Sequence, residues 1–153
     1  MTNRALLVID MQEHYMSKYD REALINKINE RSRQAETDGD LIVFVKNNGK
    51  LHGERKCYEL ANGMYVPKSF TFVKDYPSAF TNQDLKQFLK EQNIEAITMV
   101  GIDGSCCVAY TAMDAIAEGY IVNISLKCIG SRNQKIFEKQ IEKMRDAGVL
   151  IER

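Results

Sequence analysis

Three kinds of reactive side chain follow apolar segments of the length expected for β-strands. Asp10 ends the first of these segments, and Lys74 ends a later one. Cys106 and Cys107 follow another apolar segment through a tight turn, just before a helical pattern. Because ligands bind outside the carboxyl ends of parallel strands, we expect an acid, a cation and a thiol to converge on one edge of a sheet.

These groups together suit acyl transfer. A thiol in the first turn of a helix lies near unpaired backbone N–H groups and the positive end of the helix dipole, which both favour the thiolate. The same N–H groups can stabilise an oxyanion when the thiolate attacks a carbonyl. A neighbouring lysine adds positive charge, and a carboxylate can carry the proton. We therefore predict a lowered thiol pKa and catalysis that needs no histidine.

Each group also has a simpler interpretation. An aspartate after a buried strand often caps a loop or a helix, and a lone lysine in a loop is usually solvated. A buried cysteine more often acts as a small hydrophobic residue than as a nucleophile. The presence of all three groups at equivalent positions favours a catalytic site over these interpretations.

Strand-length apolar runs alternate along the chain with segments of helical period. The runs predict six strands, at residues 5–9, 41–45, 70–73, 96–102, 120–125 and 148–152. Apolar residues recur at helical spacing between them, and Thr81 and Ser131 are predicted to cap the second and the last of four helices. This alternation predicts right-handed crossovers and a parallel sheet covered on both faces.

One segment breaks the alternation. Residues 46–69 are polar, contain glycine and show no clear period, and loops of such length are usually functional or disordered. The chain has 153 residues, of which 44% are hydrophobic and 27% charged, with no internal repeat or linker. We therefore expect a single domain over residues 1–153.

The composition argues against several classes of protein. The formal net charge is zero and the basic residues are scattered, which argues against nucleic acid as a partner. No apolar run approaches the roughly 18 residues of a membrane span, and the first residues lack a signal-peptide pattern, so we expect a cytoplasmic protein. The four cysteines show no C-x-x-C spacing, which favours free thiols over disulfides or zinc ligands.

Three ordered motifs resemble those of the isochorismatase-like cysteine hydrolases, a superfamily that includes nicotinamidases, carbamoylsarcosine amidases and ureidoacrylate amidases. "ALLVIDMQ" is similar to the family's first strand and catalytic aspartate, and "KDYPSAF" is similar to its K-x-x-x-S-A-F motif. "GIDGSCCVAYTAMDAIAEGY" is similar to its G-[VI]-x-T-D-x-C-V-x-x-T-A-x-D-A-x-x-x-G-Y motif. The resemblance covers essentially the whole chain.

The resemblance implies a three-layer α/β fold with a six-stranded parallel sheet, of the Rossmann-like type. It also implies a cysteine hydrolase that cleaves a small-molecule amide or other C–N bond through a thioester. Asp10, Lys74 and Cys107 would be its catalytic residues, with Cys106 at a variable position. Asp10 would take the thiol proton and later activate water, while Lys74 would hold the charged pair.

The family pattern further implies a cis peptide bond at Ile102–Asp103. The backbone N–H groups of Asp103 and Cys107 would then form the oxyanion hole. The chain departs from the pattern at Gly104 and Ser105, where the family usually has Thr-Asp. We expect this change to loosen the cysteine loop.

The Asp-x-His…His metal cluster of nicotinamidases is missing, since the chain has only two histidines, His14 and His52. We therefore predict no metal ion and no cofactor. The expected partner is a small-molecule substrate, held in a pocket that includes Tyr15, His52 and Phe80. Because the chain is shorter than many relatives, we expect a second subunit to complete the pocket wall in a homo-oligomer, a dimer or higher.

Two other functions remain open on the sequence alone. A family member with altered catalysis could serve as a binding or assembly protein, which the change at Gly104 and Ser105 mildly favours. Alternatively, Cys106 and Cys107 could form a thiol redox sensor, although vicinal cysteines make a strained disulfide. The sequence does not identify the substrate.

Overall fold

The computed structural model describes residues 3–51 and 54–153. Its strands are β1 (Arg4–Ile9), β2 (Leu41–Leu51), β3 (Glu54–Cys57), β4 (Phe70–Lys74), β5 (Ala96–Ile102), β6 (Ile121–Gly130) and β7 (Leu150–Glu152). Six of them form a parallel sheet in the order β4-β2-β1-β5-β6-β7. The first strand therefore lies near the middle of the sheet.

Four α-helices and two 3-10 helices lie in the described ranges. The α-helices are α1 (Arg21–Asp38), α2 (Gln83–Glu91), α3 (Cys107–Ala117) and α4 (Gln134–Ala147), and the 3-10 helices are Glu13–Lys18 and Ala79–Thr81. Within residues 3–51 and 54–153, no helix combines the length and apolar character that crossing a bilayer requires.

The side chains of β1 alternate between two hydrophobic layers. Leu6 and Val8 pack with α1 on one face of the sheet. Leu7 and Ile9 pack on the other face, in a cluster that includes the apolar sides of α2, α3 and α4. Because both faces are covered by helices, β1 is buried throughout its apolar run, and the prediction of a three-layer α/β fold is confirmed.

The prediction for residues 46–69 was partly wrong. The first part of this segment is a hairpin in which β2 continues to Leu51 and pairs antiparallel with β3. Residues 55–57 of β3 are exposed, so the strand covers no core and shows no apolar alternation. This is why its pattern could not be distinguished from that of a loop.

The predicted caps were also wrong. Asn82, not Thr81, caps α2, since its side-chain oxygen accepts the Leu85 N–H at 3.0 Å. Asn133, not Ser131, caps α4. Asparagine is as good a cap as serine or threonine, and neighbouring candidates cannot be ranked from type alone.

Candidate active site

The carboxyl edge of the sheet brings the three predicted reactive groups together. Asp10 directly follows β1, Lys74 is the last residue of β4, and Cys107 is the first residue of α3. The Lys74 ammonium donates to Asp10 Oδ2 at 3.1 Å and to Cys107 Sγ at 3.5 Å. One cation thus contacts both the carboxylate and the sulfur.

The backbone directs Asp10 into this edge. Its φ is 56°, a left-handed conformation that aspartate tolerates better than most residues. Its N–H donates to the carbonyl of Val45 in β2 at 2.9 Å. The residue is 5% exposed, and its Oδ1 has no hydrogen-bond partner among the described residues. One buried oxygen is therefore available to a proton or a substrate.

A glycine lets the cysteine segment approach Asp10. Gly101, near the end of β5, has a φ of 121°, and a Cβ at this position would clash with the backbone of Ile9. Only glycine fits so close an approach at that φ. Gly101, the first residue of the cysteine motif, therefore allows β5 to pack closely against the end of β1, next to Asp10.

Lys74 is buried, with 2% of its surface exposed. The simpler interpretation of a solvated lysine does not apply, because Asp10, the end of β2 and the start of α3 surround the ammonium. Its third contact is Asn47 Oδ1, at 3.2 Å. Three contacts with oxygen and sulfur stabilise the buried charge.

Two residues that the sequence analysis missed hold this lysine in place. The Gln12 side chain accepts the Asn47 N–H at 2.8 Å and donates to the Asn47 carbonyl at 3.1 Å. It also donates to the Tyr58 carbonyl at 2.9 Å. Gln12 is the last residue of the "ALLVIDMQ" motif, and this position could have indicated its role. No sequence feature indicated a role for Asn47, since it lies in a polar segment without a period.

The predicted lowering of the Cys107 pKa was wrong. Burial raises the pKa of the Cys107 thiol well above its ordinary value, and the nearby Asp10 carboxylate raises it further, against the opposing charge of Lys74. Burial also raises the pKa of Asp10 and outweighs the attraction of Lys74. The helix terminus therefore does not by itself produce a thiolate.

The loop before α3 presents two backbone donors. The Ile102–Asp103 peptide bond is cis. The Asp103 carbonyl accepts the N–H groups of Cys106 and Val108, each at 3.1 Å. The N–H groups of Asp103 and Cys107 donate to no acceptor within the described residues. Free donors beside a nucleophile are what an oxyanion hole requires.

Gly104 does not loosen the loop, contrary to our expectation. Its N–H donates to the Gly130 carbonyl at 2.9 Å. A Cβ at Gly104 would lie 2.7 Å from both Ile129 Cγ2 and Phe137 Cε1. The loop is therefore packed against β6 and α4 so closely that a threonine at this position would not fit. Ser105 also contributes, since its N–H and hydroxyl both donate to Asp103 Oδ1.

A cavity of about 400 Å³ opens at the reactive groups. It is lined by Asp10, His14, Tyr15, Ser17, Lys18, Tyr19, Asn47, Ile102, Asp103, Cys106, Cys107 and Arg132. A larger groove of about 610 Å³ lies at the opposite edge of the sheet. Its Arg4 and Asp40 pair with each other at 3.2 Å, and it contains no nucleophile. The smaller cavity is the candidate active site.

The three predicted pocket residues have different outcomes. Tyr15 lines the cavity, and its hydroxyl lies 3.4 Å from Asn47 Nδ2. Phe80 does not: it is 5% exposed and packs in the hydrophobic core, with its ring centroid 6.0 Å from that of Tyr120. The short 3-10 helix after β4 turns it inward. His52 lies outside the described residues.

The described residues do not fit a metal ion. No three His, Cys, Asp or Glu side chains among them are grouped to hold one. The His14 ring stacks on the Tyr58 ring, with centroids 3.8 Å apart and planes 4° apart. Asn47 and Asn48, at the same sheet edge, carry no charge. Within the described residues, this edge therefore offers no set of ligands for a metal ion.

Comparison with known proteins defines the class. The isochorismatase domain family matches residues 4–152, and the chain belongs to this family. It is 25% identical over 115 residues to isochorismatase family protein 2A of Dictyostelium discoideum, covering 72% of this chain and 57% of that protein. It is 28% identical over 68 residues to a maleamate amidohydrolase of Pseudomonas putida, covering 44% of this chain and 32% of that enzyme.

A solved structure shares the fold. The zinc complex of a pyrazinamidase from Pyrococcus horikoshii superposes with a TM-score of 0.84 at 22% identity, covering 97% of this chain and 98% of that one. At this identity the likeness shows the fold alone. The chain spans about half or less of the length of the curated relatives that it matches.

Proposed function

We propose that this protein is a hydrolase that cleaves the C–N bond of a small amide or ureide through a thioester on Cys107. The observation that carries the proposal is the buried contact of the Lys74 ammonium with both Asp10 and Cys107. Amidase names among the relatives support the reaction class. Because three segments of the chain contribute to the contact, a purely structural role explains it poorly.

In the proposed first step, Asp10 takes the proton of the Cys107 thiol. The site then changes from carboxylate, ammonium and thiol to carboxylic acid, ammonium and thiolate, so its net charge is unchanged. This matters in a buried site, where a change in net charge is costly. Burial raises the pKa of both groups and the Lys74 ammonium opposes the rise in each, so whichever group gives up its proton can pair with Lys74.

The thiolate then attacks the substrate carbonyl carbon, and a C–S bond forms. The backbone N–H groups of Asp103 and Cys107 would stabilise the oxyanion. As the C–N bond breaks, Asp10 returns its proton to the departing nitrogen, which leaves as ammonia or an amine. A water molecule, deprotonated by Asp10, attacks the thioester, and the acid is released as Cys107 regains a proton.

The remaining features of the proposal concern the whole protein. We place the activity in a single domain, residues 1–153, with a small-molecule substrate in the 400 Å³ cavity. The free thiols of all four cysteines are compatible with a cytoplasmic protein. Exposed apolar side chains on α3 and α4, Tyr110, Met113 and Ile136, support a homo-oligomer.

An ammonia-release screen tests the reaction class. The panel contains nicotinamide, ureides, carbamoyl amino acids and small aliphatic amides. Cys107→Ser should abolish turnover of any active compound, while Cys57→Ser, a change at an exposed cysteine outside the cavity, should not. Trapped intermediates should appear by mass spectrometry as an acyl group on Cys107. Turnover that survives Cys107→Ser would refute the proposal.

A further inference from the structure

We propose that the Asp103 carboxylate is a positioning group for the reacting centre, which fixes the loop that presents the two free N–H donors. This inference rests on the proposed function for its catalytic meaning. Its structural basis is that this single side chain accepts hydrogen bonds from three separate segments of the chain. They are the cysteine loop, the turn after β6 and the end of the first 3-10 helix.

One oxygen of Asp103 accepts the hydrogen bonds that order the cysteine loop, the segment just before α3. Asp103 Oδ1 accepts the Ser105 N–H at 2.8 Å, the Ser105 hydroxyl at 2.6 Å and the Ser131 hydroxyl at 3.3 Å. These bonds close a small ring within the loop and join it to the turn after β6. The family's usual Thr-Asp side chains are absent here, and Asp103 with Ser105 supplies polar contacts in their place.

The second oxygen ties the loop to the cavity wall. Asp103 Oδ2 accepts the Tyr19 hydroxyl at 2.8 Å and the Arg132 N–H at 2.9 Å. The Arg132 guanidinium lies 3.7 Å from the same oxygen. Tyr19 and Arg132 both line the cavity. The carboxylate therefore connects the cysteine loop to two residues of the cavity wall.

The carboxylate of Asp103 is unsuited to proton transfer. It is 8% exposed, and its five hydrogen bonds occupy the lone-pair sites of both oxygens. Burial would raise the pKa of Asp103, but the hydrogen bonds from Ser105, Arg132 and Tyr19 hold it below its ordinary value. The group thus stays ionised, and its effect on the reaction comes through the position of the loop.

Two reagents distinguish a misplaced oxyanion donor from a general loss of Cys107 reactivity. p-Nitrophenyl acetate acylates a thiolate through a tetrahedral oxyanion, forming a C–S bond and releasing p-nitrophenolate. Iodoacetamide alkylates a thiolate by displacement of iodide, which forms no oxyanion. Only the first reaction needs the two backbone donors. Both rates at Cys107 can be followed by peptide mapping, whether or not an amide substrate has been found.

We expect Asp103→Asn to slow acylation of Cys107 by about 10–100-fold, because small displacements of an oxyanion donor have effects of this size. Alkylation should change by less than about threefold, since the charges that control the thiol are untouched. With an amide found in the screen, kcat should fall while KM changes little. Asp146→Asn, an exposed change on α4, is the matched control and should alter neither rate.

Ser105→Ala keeps the inference testable if Asp103→Asn folds poorly. It removes one hydroxyl donor to Oδ1 and should slow acylation by a smaller factor, with no further loss when it is combined with Asp103→Asn. If Asp103→Asn loses acylation and alkylation equally, or loses no acylation, the inference is overturned. It is also overturned if p-nitrophenyl acetate does not acylate Cys107 in the wild-type protein. If no amide in the screen is cleaved but Asp103→Asn still slows acylation of Cys107 selectively, the proposed function fails and this inference stands.

Discussion

Asp10 and Lys74 act on the Cys107 thiol in opposite directions. The carboxylate raises the thiol pKa and the ammonium lowers it, but burial has the largest effect. The types of these residues and their motifs were sufficient to predict which side chains meet. The sign of the pKa shift was not predictable, because it depends on how deeply α3 and the sheet bury the sulfur. That depth is a property of tertiary packing.

Replacing Lys74 with methionine tests the electrostatic part of the site. The change removes the group that lowers the Cys107 pKa, so alkylation at fixed pH should slow and its pH profile should shift to higher pH. Turnover should fall by at least about 10²-fold. Removing one partner of a buried ion pair also destabilises a protein by about 3–5 kcal/mol, so the melting temperature should fall.

The matched control is Lys139→Met, which removes a cation from an exposed position on α4. It should leave alkylation, turnover and melting temperature near their wild-type values. An alkylation pH profile that is the same in Lys74→Met and wild type would remove Lys74 from the reacting centre.

At the scale of elements, the chain's strands were easier to predict than the contacts between them. The six parallel strands lie where the apolar runs predicted. The central strands are buried and carry continuous apolar sequence, while the edge strands β4 and β7 keep apolar runs although most of their residues are exposed or half-buried. The extension of β6 to Gly130 and the β2–β3 hairpin were missed. Residues 55–57 of the hairpin are exposed and show no apolar alternation, and the end of β6 pairs with Gly101 and Ile102, which are distant in sequence.

The contact between the cysteine loop and α4 can be tested at Gly104. Gly104→Ala should destabilise the protein by about 1–3 kcal/mol, the usual range for overpacking, because the added methyl group meets Phe137 and Ile129. Phe137→Leu should be destabilising alone and should rescue part of the loss in the double variant. Urea unfolding curves of the four proteins give this coupling. Additive effects would show that Gly104 and Phe137 are not packed as described.

The first 3-10 helix is held by a pH-dependent contact. Glu13 pairs with Arg21 and accepts the Asn62 N–H at 2.9 Å. The hydrogen bonds from Arg21 and Asn62 lower the pKa of Glu13 from its ordinary 4.5 to about 2. A lowered pKa in the folded state means that the contact stabilises the protein above pH 4.5 and loses this effect as pH falls toward 2.

Glu13→Gln should therefore lower the melting temperature modestly at pH 7. The difference from wild type should shrink as pH falls from about 4.5 to about 2, and thermal unfolding monitored by circular dichroism would measure it. Glu142→Gln, at an exposed position of α4, is the control. A difference that is constant across this pH range would mean that Glu13 does not titrate in the folded protein as described.

At the scale of the whole molecule, the fold is shared with a protein of very different sequence. A TM-score of 0.84 accompanies only 22% identity with the Pyrococcus pyrazinamidase. The cavity takes its walls from four distant parts of the chain: residues 10–19, Asn47, residues 102–107 and Arg132. Tyr19, Asn47 and Arg132 carried no motif signal, since their place in the cavity depends on how these segments meet. The substrate was therefore beyond sequence analysis.

The same cavity leads to a prediction about metal and substrate together. Hydrolysis should survive exhaustive chelation, because the thiol, carboxylate and backbone donors need no metal to cleave an acyl bond. The described residues provide no group of three His, Cys, Asp or Glu ligands, and a divalent metal needs about that number of such ligands to bind tightly. Activity measured before and after dialysis against a chelator, with metal content determined by elemental analysis, tests this half of the prediction.

Nicotinamide should be a poor substrate for the same reason. The described residues provide no cluster of metal ligands that could hold a pyridine nitrogen through a metal ion, and the Asn47 side-chain oxygen at this sheet edge accepts from the Lys74 ammonium. An aliphatic amide or ureide has no pyridine nitrogen to bind and should be cleaved with a higher kcat/KM than nicotinamide. Loss of activity on chelation with recovery on adding zinc or manganese would contradict the metal-free reaction. Efficient nicotinamide turnover by the chelated protein would contradict the substrate preference while leaving the cysteine mechanism intact.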